Sequence, residues 1–101
     1  MSENLINLVK IIRERKNKDG DKSYTSSLLS GGLSKCIDKM EEEFGELKEA
    51  LNTNSNIVHE AADIIYHLLV ALEVADIKFE DVLKELENRK KQSGFEEKKN
   101  R

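Results

Sequence analysis

The chain has no proline and no tryptophan, one cysteine, and only three phenylalanines and two tyrosines among 101 residues. Proteins average about 5% proline, and proline is the residue that breaks helices. Its complete absence predicts long uninterrupted helices. One cysteine cannot close an internal disulfide. Cys36 falls at an apolar position of a helical pattern and reads as a plain core thiol rather than a nucleophile. No apolar run approaches the roughly 20 residues that span a bilayer. The richest, Ala61 to Ala75, is interrupted by Asp63, His67 and Glu73. No basic-plus-apolar leader opens the sequence, so the expectation is a cytoplasmic protein with no membrane partner. The net charge is −3, which offers no basic face to a nucleic acid.

What is present is divided almost evenly, 38% hydrophobic against 37% charged. That balance implies a narrow core under a heavily ionised surface. A single domain of this length buries only about two thirds of its unfolded surface, and a second copy would cover more. One all-α domain is expected over residues 1–93, with a charged, frayed tail over 94–101. Leu5, Leu8, Val9 and Ile12 follow the i, i+3, i+4, i+7 rule and predict a first helix from Glu3 to Lys16. "NKDGDKS" then ends it with turn formers. Thr25 can cap a short helical turn through Leu29, closed by "SGG".

A second helix is predicted from Leu33 to Leu51. Its apolar residues Leu33, Cys36, Ile37, Met40, Phe44, Leu47 and Leu51 fall in one stripe, read as a single buried face. After the polar "NTNSN", with Asn54 or Ser55 as N-cap, a third helix should run from Asn56 to Ala75. It is apolar nearly all round, so it is placed at the bundle centre. A fourth helix from Phe79 to Lys91 completes an all-α bundle of four helices plus a short turn, finished by dimerisation. No repeats, domain linker or strand-like alternation interrupt this pattern.

The acids carry the chemistry. "KMEEEFGELKEA" packs like charges along one helix, each close pair costing a few tenths of a kcal/mol. Glu43 and Glu46 lie together on one flank of the apolar stripe, Glu41 on the other, and Glu42 almost opposite. On the third helix Glu60, Asp63 and His67 share one strip. Uncompensated carboxylates are costly on a buried helix. If the two helices form an antiparallel hairpin, E-x-x-E faces E-x-x-D and four oxygen ligands converge. An all-oxygen set suits Mg²⁺, with Mn²⁺ as the alternative. One cysteine and two histidines argue against zinc, and the lack of Glu-x-x-His pairs argues against a di-iron bundle. Against this stands the plainer reading of solvated surface glutamates. His67 alone reads as a hydrogen-bonded core histidine, and His59, near a helix start, as solvent-facing.

With these residues placed, the chain resembles the phosphoribosyl-ATP pyrophosphatase family of histidine biosynthesis, within the all-α MazG-type nucleoside-triphosphate pyrophosphohydrolases. The likeness runs through "IIRERK", "SYTSSLLSGGLSK", "KMEEEFGE", "HEAADIIYHLLVAL" and "FEDVLKELENR". The E-x-x-E then E-x-x-D pattern marks the superfamily, and "SYT" with the Asp63 to His67 segment marks the narrower family. Three residues depart from the family pattern: Glu41 where Gly is usual, Phe44 where Ala is common, and Lys78 where Ser or Thr caps the last helix.

The resemblance implies hydrolysis of phosphoribosyl-ATP to phosphoribosyl-AMP and pyrophosphate, with Mg²⁺ on Glu43, Glu46, Glu60 and Asp63, and a homodimer. Glu42 is the candidate base or outer support. Lys22, Ser23, Tyr24, Thr25, Lys35, Lys39, His67 and Arg89 are the candidate substrate contacts. For Thr25 the competing role is helix capping, for Lys39 a surface pair with Glu43, and for Arg89 a surface ion pair. Two other functions fit the same residues: a house-cleaning pyrophosphatase of other nucleoside triphosphates, and a non-enzymatic helical dimerisation module.

Overall fold

The computed structural model describes residues 3–16 and 28–91. Its four long helices are α1 (Glu3–Lys16), α2 (Gly32–Thr53), α3 (Ile57–Val74) and α4 (Phe79–Lys90). Residues 28–30 are helical and lead into Gly31. The tail expected over 94–101 and most of the expected short turn, Thr25 included, lie outside the described residues. Among the described residues no helix is long and apolar enough to cross a membrane.

Helix α2 opens at Gly32, whose φ of +85° is a backbone setting that glycine adopts without steric cost. It ends on a left-handed Asn54 (φ 53°), with the Ser55 N–H donating to the Ala50 carbonyl. That bond back across the last turn is the Schellman closure. Asn56, also left-handed (φ 61°), precedes α3 and makes no side-chain cap bond. The N-cap is therefore neither Asn54 nor Ser55, because Asn54 is already committed to terminating α2. Only three residues separate the helices, which forces an antiparallel hairpin. Among the described helices the α2–α3 pair makes the most extensive contact, and α1 and α4 each pack on α3.

Val9 and Ile12 of α1, Leu28, Cys36 of α2, and Leu69, Val70 and Ala71 of α3 form the buried cluster. Cys36 is a core thiol, its Sγ 3.7 Å from the Leu28 carbonyl, and burial pushes its pKa up. Arg13 fastens α1 across the chain. Its Nε lies 3.1 Å from Glu73 and its Nη2 2.7 Å from Glu80. Lys16 donates to the Glu73 carbonyl at 2.9 Å and pairs with Asp76 at 3.0 Å, so a cation meets the negative end of α3.

The faces of α2 and α3 differ from the sequence reading. On α2 the buried residues are Cys36, Glu43 and Ala50, whereas Leu33, Ile37, Phe44 and Leu51 are exposed. On α3 Val58 is 84% exposed, and Ile65 and Leu68 are also open. A single chain therefore covers the central helix on one side only. The apolar stripe was legible, but the line that α3 covers lies beside it and carries a carboxylate.

Candidate metal centre

Glu43 and Glu46 lie on one helical flank of α2, and Glu60 and Asp63 on one flank of α3. In an antiparallel hairpin these positions recede from the loop in step, so Glu46 meets Glu60 and Glu43 meets Asp63. Each of the four residues offers a carboxylate oxygen within 4.8 Å of the others. Glu43 is only 9% exposed, and the Glu60 side chain 14%. Glu43 Oε2 and Glu60 Oε2 are buried with no hydrogen-bond partner.

Burial, and then the charge of Glu46, push the Glu43 carboxyl above the usual carboxylate range, with His67 offsetting part of the rise. Burial and a hydrogen bond with Glu46 push Glu60 the same way, with His59 opposing. Carboxylates in mutual contact need a proton or a cation between them, since an ionised carboxyl only accepts. Two orphaned oxygens among converging acids fit a hard divalent ion, and the donor set is all oxygen.

His67 is 5% exposed. Its Nδ1 lies 2.9 Å from the Asp63 carbonyl, and its ring meets Tyr66 edge-on with centroids 5.3 Å apart. The imidazole is buried and hydrogen-bonded, as its place on the apolar helix suggests, and it anchors the backbone of Asp63 and puts a polar ring near Glu43. His59 is open to solvent, as expected, yet its Nε2 reaches Asp63 Oδ2 at 3.2 Å, a contact that exposure alone did not suggest.

Glu42 is exposed and pairs with Lys39 at 3.3 Å, a surface ion pair of the kind weighed as the alternative role of Lys39, here with the neighbouring glutamate. Glu42 also lines, with Gly45, Glu46, Glu49, Thr53 and Glu60, an open cleft of about 540 Å³. A cleft of that size is within the range of small-ligand sites. Lys35 is exposed near the start of α2. Arg89 lies 3.7 Å from Glu85 on the outer face of α4, the ion-pair arrangement anticipated as its alternative. Lys22, Ser23, Tyr24 and Thr25 lie outside the described residues.

The family model for phosphoribosyl-ATP pyrophosphohydrolase matches residues 5–90. The chain is 42% identical over 99 residues to the phosphoribosyl-ATP pyrophosphatase of Rhizobium etli (strain CIAT 652), covering 96% of this chain and 92% of that protein. It is 42% identical over 103 residues to the one of Vesicomyosocius okutanii subsp. Calyptogena okutanii (strain HA), covering 100% and 98%. Against the Roseobacter denitrificans (strain ATCC 33942 / OCh 114) protein of the same name the identity is 45% over 92 residues, covering 89% and 88%. The chain belongs to the phosphoribosyl-ATP pyrophosphohydrolase family.

Proposed function

We infer that this enzyme hydrolyses phosphoribosyl-ATP to phosphoribosyl-AMP and pyrophosphate, the reaction of histidine biosynthesis, at a centre that holds Mg²⁺ or, in its place, Mn²⁺. The observation that carries the metal assignment is the pair of buried, unpartnered oxygens on Glu43 and Glu60. A folded chain tolerates such groups where a counter-ion completes them. Glu43, Glu46, Glu60 and Asp63 would hold the ion. Bound there, it would supply Lewis-acid neutralisation of phosphate oxygens and a more acidic water.

The chain's own groups have separable tasks. Glu43 and Glu60, largely out of water, keep the centre dry and fix its position between two helices. His67 holds the Asp63 backbone in place through its 2.9 Å contact. Glu42, on the rim of the cleft, is placed to accept a proton or to orient the attacking water. Lys35 and Lys39 would meet phosphate charge from α2, together with the Lys22–Thr25 segment and Arg89.

A second copy of the chain completes the bundle in this reading, and the protein is a cytoplasmic homodimer. Ile37, Met40, Phe44 and Ile64 border an apolar groove of about 390 Å³, and Phe44 is 55% exposed. Large exposed apolar patches of this kind mark association surfaces.

The test is pyrophosphate release from phosphoribosyl-ATP, beside a panel of ordinary and deoxynucleoside triphosphates, with and without chelator. Turnover of phosphoribosyl-ATP alone, lost with chelator, is expected. Turnover of the panel instead would keep the centre and overturn the substrate. Asp63→Asn should keep the helical spectrum and lose about a hundredfold or more of turnover, the effect of losing a few kcal/mol of transition-state stabilisation. Full activity in that variant would remove Asp63 from the ligand set.

A further inference from the structure

The cleft beside the carboxylate centre has a chemistry that a metal ion does not explain. It begins at Glu46 and Glu60, which also belong to the centre, and extends along α2 past Glu49 to Thr53 at the hairpin turn. At a rise of about 1.5 Å per residue, Glu49 lies about 4.5 Å and Thr53 about 10 Å beyond Glu46 along the helix. Among the described residues no lysine, arginine or histidine lines this space of about 540 Å³. An ionised carboxylate only accepts hydrogen bonds, and Thr53 Oγ1 already donates its proton to the Glu49 carbonyl at 2.9 Å. The wall beyond the centre therefore offers lone pairs and negative charge, which repel phosphate and suit an uncharged donor. The lysines placed to meet phosphate, Lys35 and Lys39, precede the acids on α2 and lie on the other side of the centre.

We propose that Glu49 is a specificity-determining residue, accepting hydrogen bonds from the vicinal hydroxyls of the substrate's nucleotide ribose, with Thr53 as the neighbouring acceptor. The proposal rests on the reading of phosphoribosyl-ATP as substrate. With the phosphates at the centre, the ribose follows one carbon beyond the α-phosphate, so a cleft continuous with the centre receives that sugar first. Its diol is a pair of uncharged donors, the complement of this wall. The second sugar of phosphoribosyl-ATP carries its own phosphate, and its charge turns it away from the acids. The substrate thus lies along α2 with its phosphates toward Lys39 and its nucleotide ribose toward the hairpin turn. The plainer reading of Glu49, a solvated acid on an exposed helix face, gives no dependence on sugar hydroxyls.

The experiment measures kcat/KM of the full chain on phosphoribosyl-ATP and on its counterpart whose nucleotide ribose is 2′,3′-dideoxy. The wild type, Glu49→Ala and Glu49→Gln are compared. The wild type is expected to favour the diol by about tenfold or more, the scale of hydrogen bonds to an ionised acceptor, with the difference mostly in KM. Glu49→Ala should lose about that factor on phosphoribosyl-ATP and bring the ratio of the two substrates close to one. Glu49→Gln keeps one carbonyl acceptor and should fall between. Alanine is the best helix former, so the exposed position 49 accepts it without unfolding. A merely structural role would lower both substrates alike and preserve the ratio. A preserved ratio in Glu49→Ala, or equal turnover of both substrates by the wild type, would overturn the ribose assignment and leave the hydrolysis standing. No turnover of phosphoribosyl-ATP by the wild type would sink the substrate reading, and this proposal with it.

Discussion

Glu43 shows what one residue carries here. A buried carboxylate beside Glu46 is a destabilising group without a cation, and its removal should be favourable when metal is absent. Glu43→Gln is expected to raise the melting temperature in chelator and to abolish the rise caused by Mg²⁺. Each kcal/mol is worth about 4–8 °C in a domain of this size, so thermal melts resolve the effect. The pH dependence has a definite sign. Glu43 and Glu60 are raised above the ordinary 4.5 in the folded chain, so the stability they contribute is present below that value. It is lost as pH rises through their folded values. Metal-free protein should therefore melt lower as pH climbs above 4.5, and saturating Mg²⁺ should flatten that slope. A flat profile in chelator would show that the cluster is not under charge strain. The spacing of these four acids was legible in the sequence because i, i+3 neighbours share a helix face. His67 was legible as a hydrogen-bonded core histidine and His59 as solvent-facing; the contact of His59 with Asp63 was not read, although the two are i, i+4 neighbours on one helix.

At the scale of elements, the helix hairpin is set by its asparagines and the outer helices by long-range ion pairs. Asn54 sits at φ 53°, a region that costs most side chains about 1–2 kcal/mol and asparagine less. Asn54→Ala should destabilise the chain by about 1 kcal/mol and Asn54→Gly should not, since glycine carries no such penalty; chemical denaturation distinguishes them. Helix α4 buries none of its residues, and Arg13 ties its first turn to α1 through Glu80. That guanidinium holds the Glu80 carboxyl down at about 2. The pair's contribution is present above the ordinary carboxylate value and lost only as pH falls toward 2. Arg13→Ala should speed amide hydrogen exchange across α4 while α2 and α3 keep their protection. Equal acceleration everywhere would mean that Arg13 supports the whole fold rather than one helix. Helix limits were readable from periodicity and turn residues to within two positions or so. The Arg13 to Glu80 connection, 67 residues apart in sequence, was not, because nothing local marks which distant carboxylate an arginine meets.

The whole molecule has more apolar surface than one chain covers. Leu33, Ile37, Phe44, Leu51, Val58 and Ile65 stand exposed on the hairpin, and a dimer buries such a surface in the proposed reading. Sedimentation equilibrium should give twice the 11.6 kDa chain mass. Phe44→Glu should weaken the association by about 2 kcal/mol or more, roughly thirtyfold, as expected for a buried aromatic anchor. A wild-type mass of one chain at high concentration would leave the exposed face to another partner.

The sequence by itself determined that the chain is helical, where its four long helices run, and that two pairs of acids share spacing suited to converging on one point. Those are properties of local periodicity, and a helix carries them wherever it packs. The tertiary structure decided which side of α2 is covered, the line through Cys36, Glu43 and Ala50 rather than the stripe through Leu33, Phe44 and Leu51. A hydrophobic stripe records that a face avoids water, not which neighbour removes it from water. The same packing left two carboxylate oxygens buried without partners, and that deficit, invisible to any helical wheel, is what makes a run of glutamates a candidate centre for a cation.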